Sequence, residues 1–307
     1  MSTVAKNPAS SWPARRTVRG SSTPYLLIAP AALLIAVFVA LPVGVVAAFS
    51  LFQYNVAKPW SNHFTGVGNF VIMSADPAFW RSLLVTAAWV GVEVVLQLTL
   101  GLGLALLLNR AFRGRALTRA LSFAPWAVSG VLTTQIWLLI YSPTTGIAQV
   151  LSQLGHQSDL APLASATGAF WSAAVAELWR GLPFFAIMLL ADMQAIPLEL
   201  YEAADVDGAG KLEQFRFVTL PHLREAILIT TLLRAVWEFN NVDLLFTLTN
   251  GGPAGATTTL PLLIVNQAVN NQNFGYGSAL TVVGFVILLV GSIVYLRIGQ
   301  GSKGAEA

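Results

Sequence analysis

The chain has 307 residues, of which 55% are hydrophobic and only 10% are charged, with a net charge of +3 and no cysteine. Because soluble globular chains carry roughly 25% charged residues, this composition excludes a soluble domain and predicts an integral membrane protein. The lack of cysteine excludes disulfides and thiolate–metal sites, and so small a net charge gives no indication of a nucleic-acid partner.

The chain begins with a basic tail, residues 1–23, rich in Ser, Pro and Arg. We expect this tail to be disordered or to lie on the anionic inner leaflet. Arg15-Arg16 ahead of an apolar run is also found in secretory signals. The apolar run is about 25 residues long, against about 7–15 for the core of a cleaved signal, so an uncleaved first span is favoured.

Six apolar segments are predicted to cross the membrane as helices, which makes the fold class all-α. Each reaches the ~20 residues that a helix needs to cross ~30 Å of hydrocarbon, and helices satisfy their own backbone groups in lipid. The segments cover about residues 25–49, 82–108, 120–141, 170–190, 227–248 and 277–296. They form one predicted transmembrane domain, residues 24–298, followed by a tail at 299–307.

Lysine and arginine are concentrated in one set of connecting segments. If the N-terminus is cytoplasmic, only Lys58 and Arg81 of the 17 basic residues fall outside the cell, and Arg180 and Arg234 lie within spans. The inner residues are Lys6, Arg15, Arg16, Arg19, Arg110, Arg113, Arg115, Arg119, Lys211, Arg216, Arg224, Arg297 and Lys303. This positive-inside bias predicts that both termini, and the loop between the fourth and fifth spans, are cytoplasmic.

That cytoplasmic loop, residues 196–222, is a polar island between two membrane-length segments. Ile196-Pro197 is expected to end the fourth span, because proline disfavours helix in the residue before it. We predict a short helix at 198–206, a sharp break at Gly208, and a second helix at 211–218 that Leu220-Pro221 ends. In the second helix Leu212, Phe215 and Phe217 are available for burial.

The loop resembles the coupling loop of ATP-binding-cassette (ABC) importer permeases of the binding-protein-dependent, sugar-type branch. The matching residues are Glu202, Ala203, Ala204, Asp207, Gly208, Ala209, Leu220 and Pro221. Further matches are Glu177–Arg180 with Pro183, Leu248–Pro253 and Phe274–Tyr276, so the resemblance extends over about residues 25–297. Many members have another proline after the Leu-Pro, whereas Leu223-Arg224-Glu225 follows here.

The resemblance implies a type I ABC importer permease fold of the first-permease type, in a bacterial cell membrane. It implies a second permease subunit, two cytoplasmic ATP-binding subunits and an extracytoplasmic substrate-binding protein as partners. ATP and Mg would be bound by the partner ATPases, with no cofactor in this chain. It also implies that the solute, a sugar or sugar-like compound, enters by alternating access through a cavity near the membrane midplane.

Two pairs of opposite charges lie within predicted spans. Glu177 and Arg180 are spaced i,i+3, and Arg234 and Glu238 are spaced i,i+4, so each pair shares a helix face. Because ionisable groups in a membrane are costly, they mark function or a structural pair. Both interpretations stay open at this point, and Glu93 is expected to face protein rather than lipid.

Trp237, Asn240, Asn241 and Asp243 are the candidate substrate-binding residues. Amide and carboxylate groups hydrogen-bond to sugar hydroxyls, and an aromatic face packs on the C–H surface of a sugar ring. The alternative is hydrogen bonding between helices of the bundle.

The sequence contains no sign of catalysis, so the chain is predicted not to be an enzyme. It has no phosphate-binding loop, since Gly210-Lys211 lacks the glycine and the Ser or Thr that such a loop requires. Two other classes remain as alternatives: an ion-coupled secondary carrier without an ATPase, and a receptor or assembly factor that transports nothing. The solute stays open among monosaccharides, disaccharides, oligosaccharides and glycerol phosphate derivatives.

Overall fold

The computed structural model describes residues 23–154 and 161–301. The predicted tails therefore lie outside the described residues, apart from Thr23 and residues 299–301. The described chain divides into a unit that ends at Val45 and a unit that begins at Val46. Helix α1 (Thr23–Ile35) lies in the first unit and continues through a π-helical turn at Ala36–Ala40 into α2 (Leu41–Ser50), which extends beyond Val45.

The second unit is helical apart from one short hairpin, in which β1 (Phe52–Gln53) pairs antiparallel with β2 (His63–Phe64). The helices that follow are α3 (Gly68–Ala75), α4 (Pro77–Asn109), α5 (Arg115–Ala127), α6 (Gly130–Tyr141), α7 (Ile147–Gln153), α8 (Ala166–Ala195), α9 (Leu198–Val206), α10 (Lys211–Gln214), α11 (Leu220–Phe239), α12 (Asp243–Leu248), α13 (Leu260–Val265) and α14 (Phe274–Gly301). The architecture is all-α in the membrane region, as predicted.

Four helices of the described chain are long and apolar enough to cross a membrane: Tyr25–Ser50, Pro77–Asn109, Ala166–Ala195 and Phe274–Gly299. A fifth is added if α5 and α6 count as one broken span, since they meet at an angle of 96°. The remaining predicted span falls on α11 and α12, whose charged residues lower its apolar character. The count of six spans stays a prediction.

Two predicted spans are interrupted where the sequence indicated continuous helices. The segment 120–141 breaks after Ala127, because Val128 and Ser129 adopt extended backbone. The segment 227–248 breaks after Phe239, where Asn240 leaves the helical region before α12 begins. Broken membrane helices are tolerated where they line a cavity rather than face lipid.

The connection 249–276 contains a buried helix that the sequence pattern did not predict. Helix α13 and the π-helical turn Asn266–Asn270 form an apolar segment too short to span. A run of this length is more often a core or re-entrant segment. The backbone N–H of Leu260 donates to Thr86 Oγ1 of α4 at 2.7 Å, which fixes the segment against the long helix.

Helices α4 and α8 form the centre of the second unit. They cross closely at Gly101, where an added Cβ would lie only 2.6 Å from the Cβ of Phe185. Around this crossing, apolar clusters pack α4 and α8 against α11 and α12. This packing holds in place the polar groups described next.

Candidate functional site

A cavity of about 340 Å³ opens where the two interrupted spans come together. It is lined by Trp126, Val128, Arg180, Arg234, Trp237, Asn240, Asn241, Val242 and Asp243. One part of the wall comes from the break after α5, another from the break between α11 and α12, and Arg180 comes from α8. The two breaks therefore expose backbone and polar side chains to a cavity rather than to lipid.

The structure brings all four candidate substrate-binding residues to this cavity. Trp237, in the last turn of α11, is 47% exposed, and its ring lies 5.0 Å from that of Phe184 between centroids. Asn240 is exposed and its Nδ2 donates to the carbonyl of Val236 at 2.8 Å. Asp243 is exposed at the start of α12.

Asn241 differs from the other three because it is nearly buried and has a structural partner. Its Nδ2 donates to Glu238 Oε2 at 3.2 Å, and only 9% of the residue is exposed. This bond is local, to the preceding turn of α11, and does not join two helices of the bundle. Asn241 also lines the cavity.

The two predicted charge pairs form, and they join into one buried network. Arg180 donates to Glu177 through Nε at 3.1 Å and Nη2 at 2.8 Å. Arg234 Nη2 lies 2.5 Å from Glu238 Oε1 and 2.6 Å from Glu177 Oε1. Glu177, which is fully buried, thus binds one arginine of its own helix and one of α11.

Helix α4 completes the network with residues that the sequence analysis did not select. Trp89 Nε1 donates to Glu238 Oε2 at 3.1 Å. Gln97 Nε2 donates both to Glu238 Oε1 at 3.1 Å and to Glu93 Oε2 at 2.8 Å. Glu93 is fully buried and faces protein, as expected. The i,i+4 spacing of Glu93 and Gln97 could have identified Gln97 as a partner of Glu93 from the sequence. No sequence pattern identified Trp126 or Val128 as part of the cavity wall.

Two glycines make room for the guanidinium groups. A Cβ at Gly181 would lie 2.6 Å from Gln97 Oε1, and closer still to Arg234 Nη2. A Cβ at Gly130, the first residue of α6, would lie 3.2 Å from Arg180 Nη1. These positions let both arginines reach Glu177 without crowding.

The loop 196–222 has the predicted first helix, α9, with the predicted bounds Leu198–Val206. Gly208 adopts φ = +80°, the left-handed conformation that glycine supplies at helix ends. The N–H of Ala209 donates back to the carbonyl of Ala204 at 2.9 Å, which closes the end of the helix.

Gln214 ties the two halves of the loop together. Its buried side-chain amide donates to Asp205 Oδ1 and to the carbonyl of Ala209, the latter at 3.3 Å. Tyr201 Oη and Thr219 Oγ1 form a second link at 2.9 Å. The loop is therefore an ordered unit rather than a solvated connection.

The outer surface of this unit presents the motif residues and several apolar side chains. Glu202, Ala203, Asp207 and Gly208 are exposed, and Ala204 and Ala209 are half-buried. Val206 is 87% exposed and Leu212 is 77% exposed. Of the three side chains expected to be available for burial, Phe215 is partly buried within this chain, whereas Leu212 and Phe217 are exposed.

Leu220-Pro221 does not end the second loop helix, which corrects the sequence-based prediction. Helix α10 continues through a π-helical turn at Phe215–Thr219 directly into α11. In that turn the N–H of Leu220 bonds to the carbonyl of Phe215, five residues back. The wider turn accommodates Pro221, which lacks an N–H and would crowd a regular helix. The same arrangement precedes Leu41-Pro42.

Residues 97–303 match the family described as "Binding-protein-dependent transport system inner membrane component". The trehalose/maltose transport system permease protein MalF of Thermococcus litoralis is 37% identical over 90% of this chain and 93% of its own length. The sulfoquinovosyl glycerol transport system permease protein SmoG of Agrobacterium fabrum is 35% identical over 89% of each chain. The diacetylchitobiose uptake system permease protein DasB of Streptomyces coelicolor is 33% identical over 91% of this chain and 87% of its own length.

A solved bacterial ABC transporter that imports the acidic polysaccharide alginate shares the fold. Its chain has a TM-score of 0.75 and 19% identity, and the match covers 91% of this chain and 95% of that one. The same system in complex with an alginate-bound periplasmic protein gives a TM-score of 0.77 at 20% identity.

The chain therefore belongs to the inner membrane components of binding-protein-dependent transport systems. It is a permease subunit of an ABC importer and a multi-pass protein of the cell membrane, with the ABC importer permease fold.

Proposed function

We propose that this chain carries a sugar or sugar-like solute into the cytoplasm through the cavity between the two broken spans. The observation that supports the proposal is the convergence of Trp237, Asn240 and Asp243 with Arg180 on one cavity wall. These groups offer an aromatic face, amide and carboxylate hydrogen-bonding groups and a guanidinium in one place. Neutral polyhydroxylated molecules are held by such a combination.

The relatives support a sugar as the solute. Three of them are named for the transport of trehalose and maltose, of sulfoquinovosyl glycerol, and of diacetylchitobiose. All three names contain a sugar.

The cytoplasmic loop 196–222 is the proposed contact with the ATPase subunits. Its exposed motif residues and its exposed apolar side chains, Val206 and Leu212, form a surface on an ordered unit. The carboxylates of Glu202 and Asp207 can pair with arginines of a partner. The small side chains of Ala203 and Ala204 permit close approach.

The proposed assembly contains a second permease subunit, two cytoplasmic ATP-binding subunits and an extracytoplasmic binding protein. In this proposal the ATP-binding subunits bind ATP and Mg, and this chain is not itself an enzyme. Nucleic acid is not a partner. Both termini lie in the cytoplasm, as the positive-inside bias indicates. Closure of the ATPase dimer would move the loop and open the cavity outward, so that the binding protein can deliver the solute. After hydrolysis the assembly would reset and open the cavity inward.

The test is to purify the tagged chain gently from its native membrane, identify stoichiometric partners, and reconstitute the assembly in liposomes. We expect a second permease and an ATPase to copurify, and sugar uptake to require both ATP and the binding protein. Uptake driven by a proton gradient without ATP would instead support the secondary carrier. Recovery of this chain alone after cross-linking would contradict the proposal.

A further inference from the structure

We infer that the cavity selects an uncharged, polyhydroxylated solute and rejects the same solute when it carries an anionic group. The inference rests on the proposed function and narrows the class of sugar. It follows from how the charged side chains on the cavity wall are paired, which the sequence alone left undecided.

The two arginines on the wall are already neutralised. Arg180 uses Nε and Nη2 to bind Glu177, and Arg234 is held between Glu177 and Glu238. The side chain of Arg234 is only 6% exposed, so an anion in the cavity has little access to it. A bidentate arginine clamp for a sulfonate, phosphate or carboxylate uses two nitrogens of one guanidinium, and only Nη1 of Arg180 lies outside its bonds to Glu177.

Neither arginine can be released to bind an anion without cost. Glu177 is fully buried and depends on both arginines for compensation. Drawing one arginine away would leave a buried carboxylate with one partner, and uncompensated buried charge is strongly destabilising. The network therefore favours its present pairing over capture of an anion.

Asp243 adds a further negative charge to the wall. It is exposed at the cavity and lies near enough to Arg180 to interact electrostatically, without a direct ion pair. Glu177, Glu238 and Asp243 together outnumber the two guanidinium groups. An anionic solute would therefore meet net repulsion.

An uncharged sugar meets no such repulsion and finds hydrogen-bonding groups of both kinds. Arg180 Nη1 takes no part in the bonds to Glu177, and the side chain is 28% exposed. It can donate to a hydroxyl or ring oxygen, while Asp243 accepts from hydroxyl groups. The compensating Glu177 orients the Arg180 guanidinium without leaving a free positive charge.

The experiment measures equilibrium binding of radiolabelled sugars to the purified complex in the absence of its binding protein, which removes that protein's own selectivity. The probes are matched pairs based on glucose, trehalose and maltose, in which one C6 hydroxymethyl group is replaced by a carboxylate. Repulsion between the probe's carboxylate and one net negative charge of the wall ~10 Å away, at an effective dielectric constant of ~20, amounts to about 1.7 kcal/mol. We therefore expect the uncharged member of each pair to bind about tenfold more tightly or better.

Asp243→Asn should reduce this preference several-fold and weaken its dependence on salt. Asp192→Asn is the matched control, because Asp192 lines a separate cavity and should leave the preference unchanged. Equal or tighter binding of the carboxylate probes would overturn the inference, as would an unchanged preference in Asp243→Asn. Binding of neither member of any pair would also overturn it, because the cavity would then not be a sugar site.

The outcomes separate this inference from the proposed function. A complex that imports an anionic sugar in an ATP-dependent manner keeps the proposed function and refutes the selectivity. A complex that shows no ATP-dependent sugar uptake refutes the function itself.

Discussion

Replacing Gly181 by alanine adds a single methyl group, which should disrupt the buried charge network. The new Cβ would lie 2.6 Å from Gln97 Oε1 and 2.7 Å from Gln97 Cδ, and it would overlap Arg234 Nη2. The Arg234 side chain is flexible in principle, but it is buried and fixed by Glu177 and Glu238. Any movement that relieves the overlap therefore lengthens at least one ion pair.

The expected loss of stability can be worked out from these contacts. Overpacking a buried site costs about 1–3 kcal/mol, and weakening a hydrogen bond to a charged group costs about 1.5–3 kcal/mol. Alanine in a helix interior regains about 1 kcal/mol over glycine. The free energy of unfolding should thus fall by about 1.5–5 kcal/mol, taking these terms together.

Thermal unfolding of the purified protein, followed by tryptophan fluorescence, measures this effect. At about 2 °C per kcal/mol for a chain of this size, such a loss lowers the midpoint of thermal unfolding by about 3–10 °C. Gly103→Ala is the matched control, since an added Cβ there meets nothing within 4 Å in the described structure. Gly103→Ala should be neutral or slightly stabilising. If Gly181→Ala behaves like Gly103→Ala and transports normally, the packing of Arg234 against Gly181 is not as described.

Three further predictions concern the loop and the cavity. Gly208→Asn should retain more uptake than Gly208→Ala, because asparagine tolerates φ = +80° better than alanine does; equal uptake would refute a backbone requirement. Gln214→Ala should leave membrane insertion intact but reduce uptake relative to ATP hydrolysis, because Asp205 and Ala209 lose their common link; an unchanged ratio of uptake to hydrolysis would contradict this. Trp237→Ala should raise the KM for sugar uptake about tenfold or more, because an aromatic contact worth ~1.5 kcal/mol is lost. Basal ATPase activity should change little. An unchanged KM would show that Trp237 does not contact the sugar.

Local patterns in the sequence were sufficient to predict the first loop helix and the charge pairs. The bounds of α9 follow from Pro197 before it and from the glycine after it, which are short-range signals. The pairs Glu177–Arg180 and Arg234–Glu238 follow from helical spacing alone. In each case the deciding residue lies within four positions of the helix end or the charged partner that it determines.

Features that depend on distant parts of the chain were not predictable in this way. The link from Arg234 to Glu177 joins α11 to α8, and the contributions of Trp89 and Gln97 come from α4. The break after α5 is flanked by Pro125 and Gly130, but the apolar pattern continues across it and therefore predicted a single span. Helix continuity through Pro221 likewise depends on a π turn, for which the sequence gives no local signal.

Each of the two charged helices brings its own counterion into the bilayer. A single charge at the centre of a membrane helix costs about 2.5–3.5 kcal/mol on insertion scales, yet α8 contains both members of one ion pair and α11 contains both members of another. Each helix can therefore enter the membrane as a neutral segment during biogenesis, before it meets the other. The bond between Arg234 and Glu177 then forms by side-chain rearrangement within lipid-excluded space, so the docking of α11 on α8 transfers no unpaired charge of these two pairs through hydrocarbon.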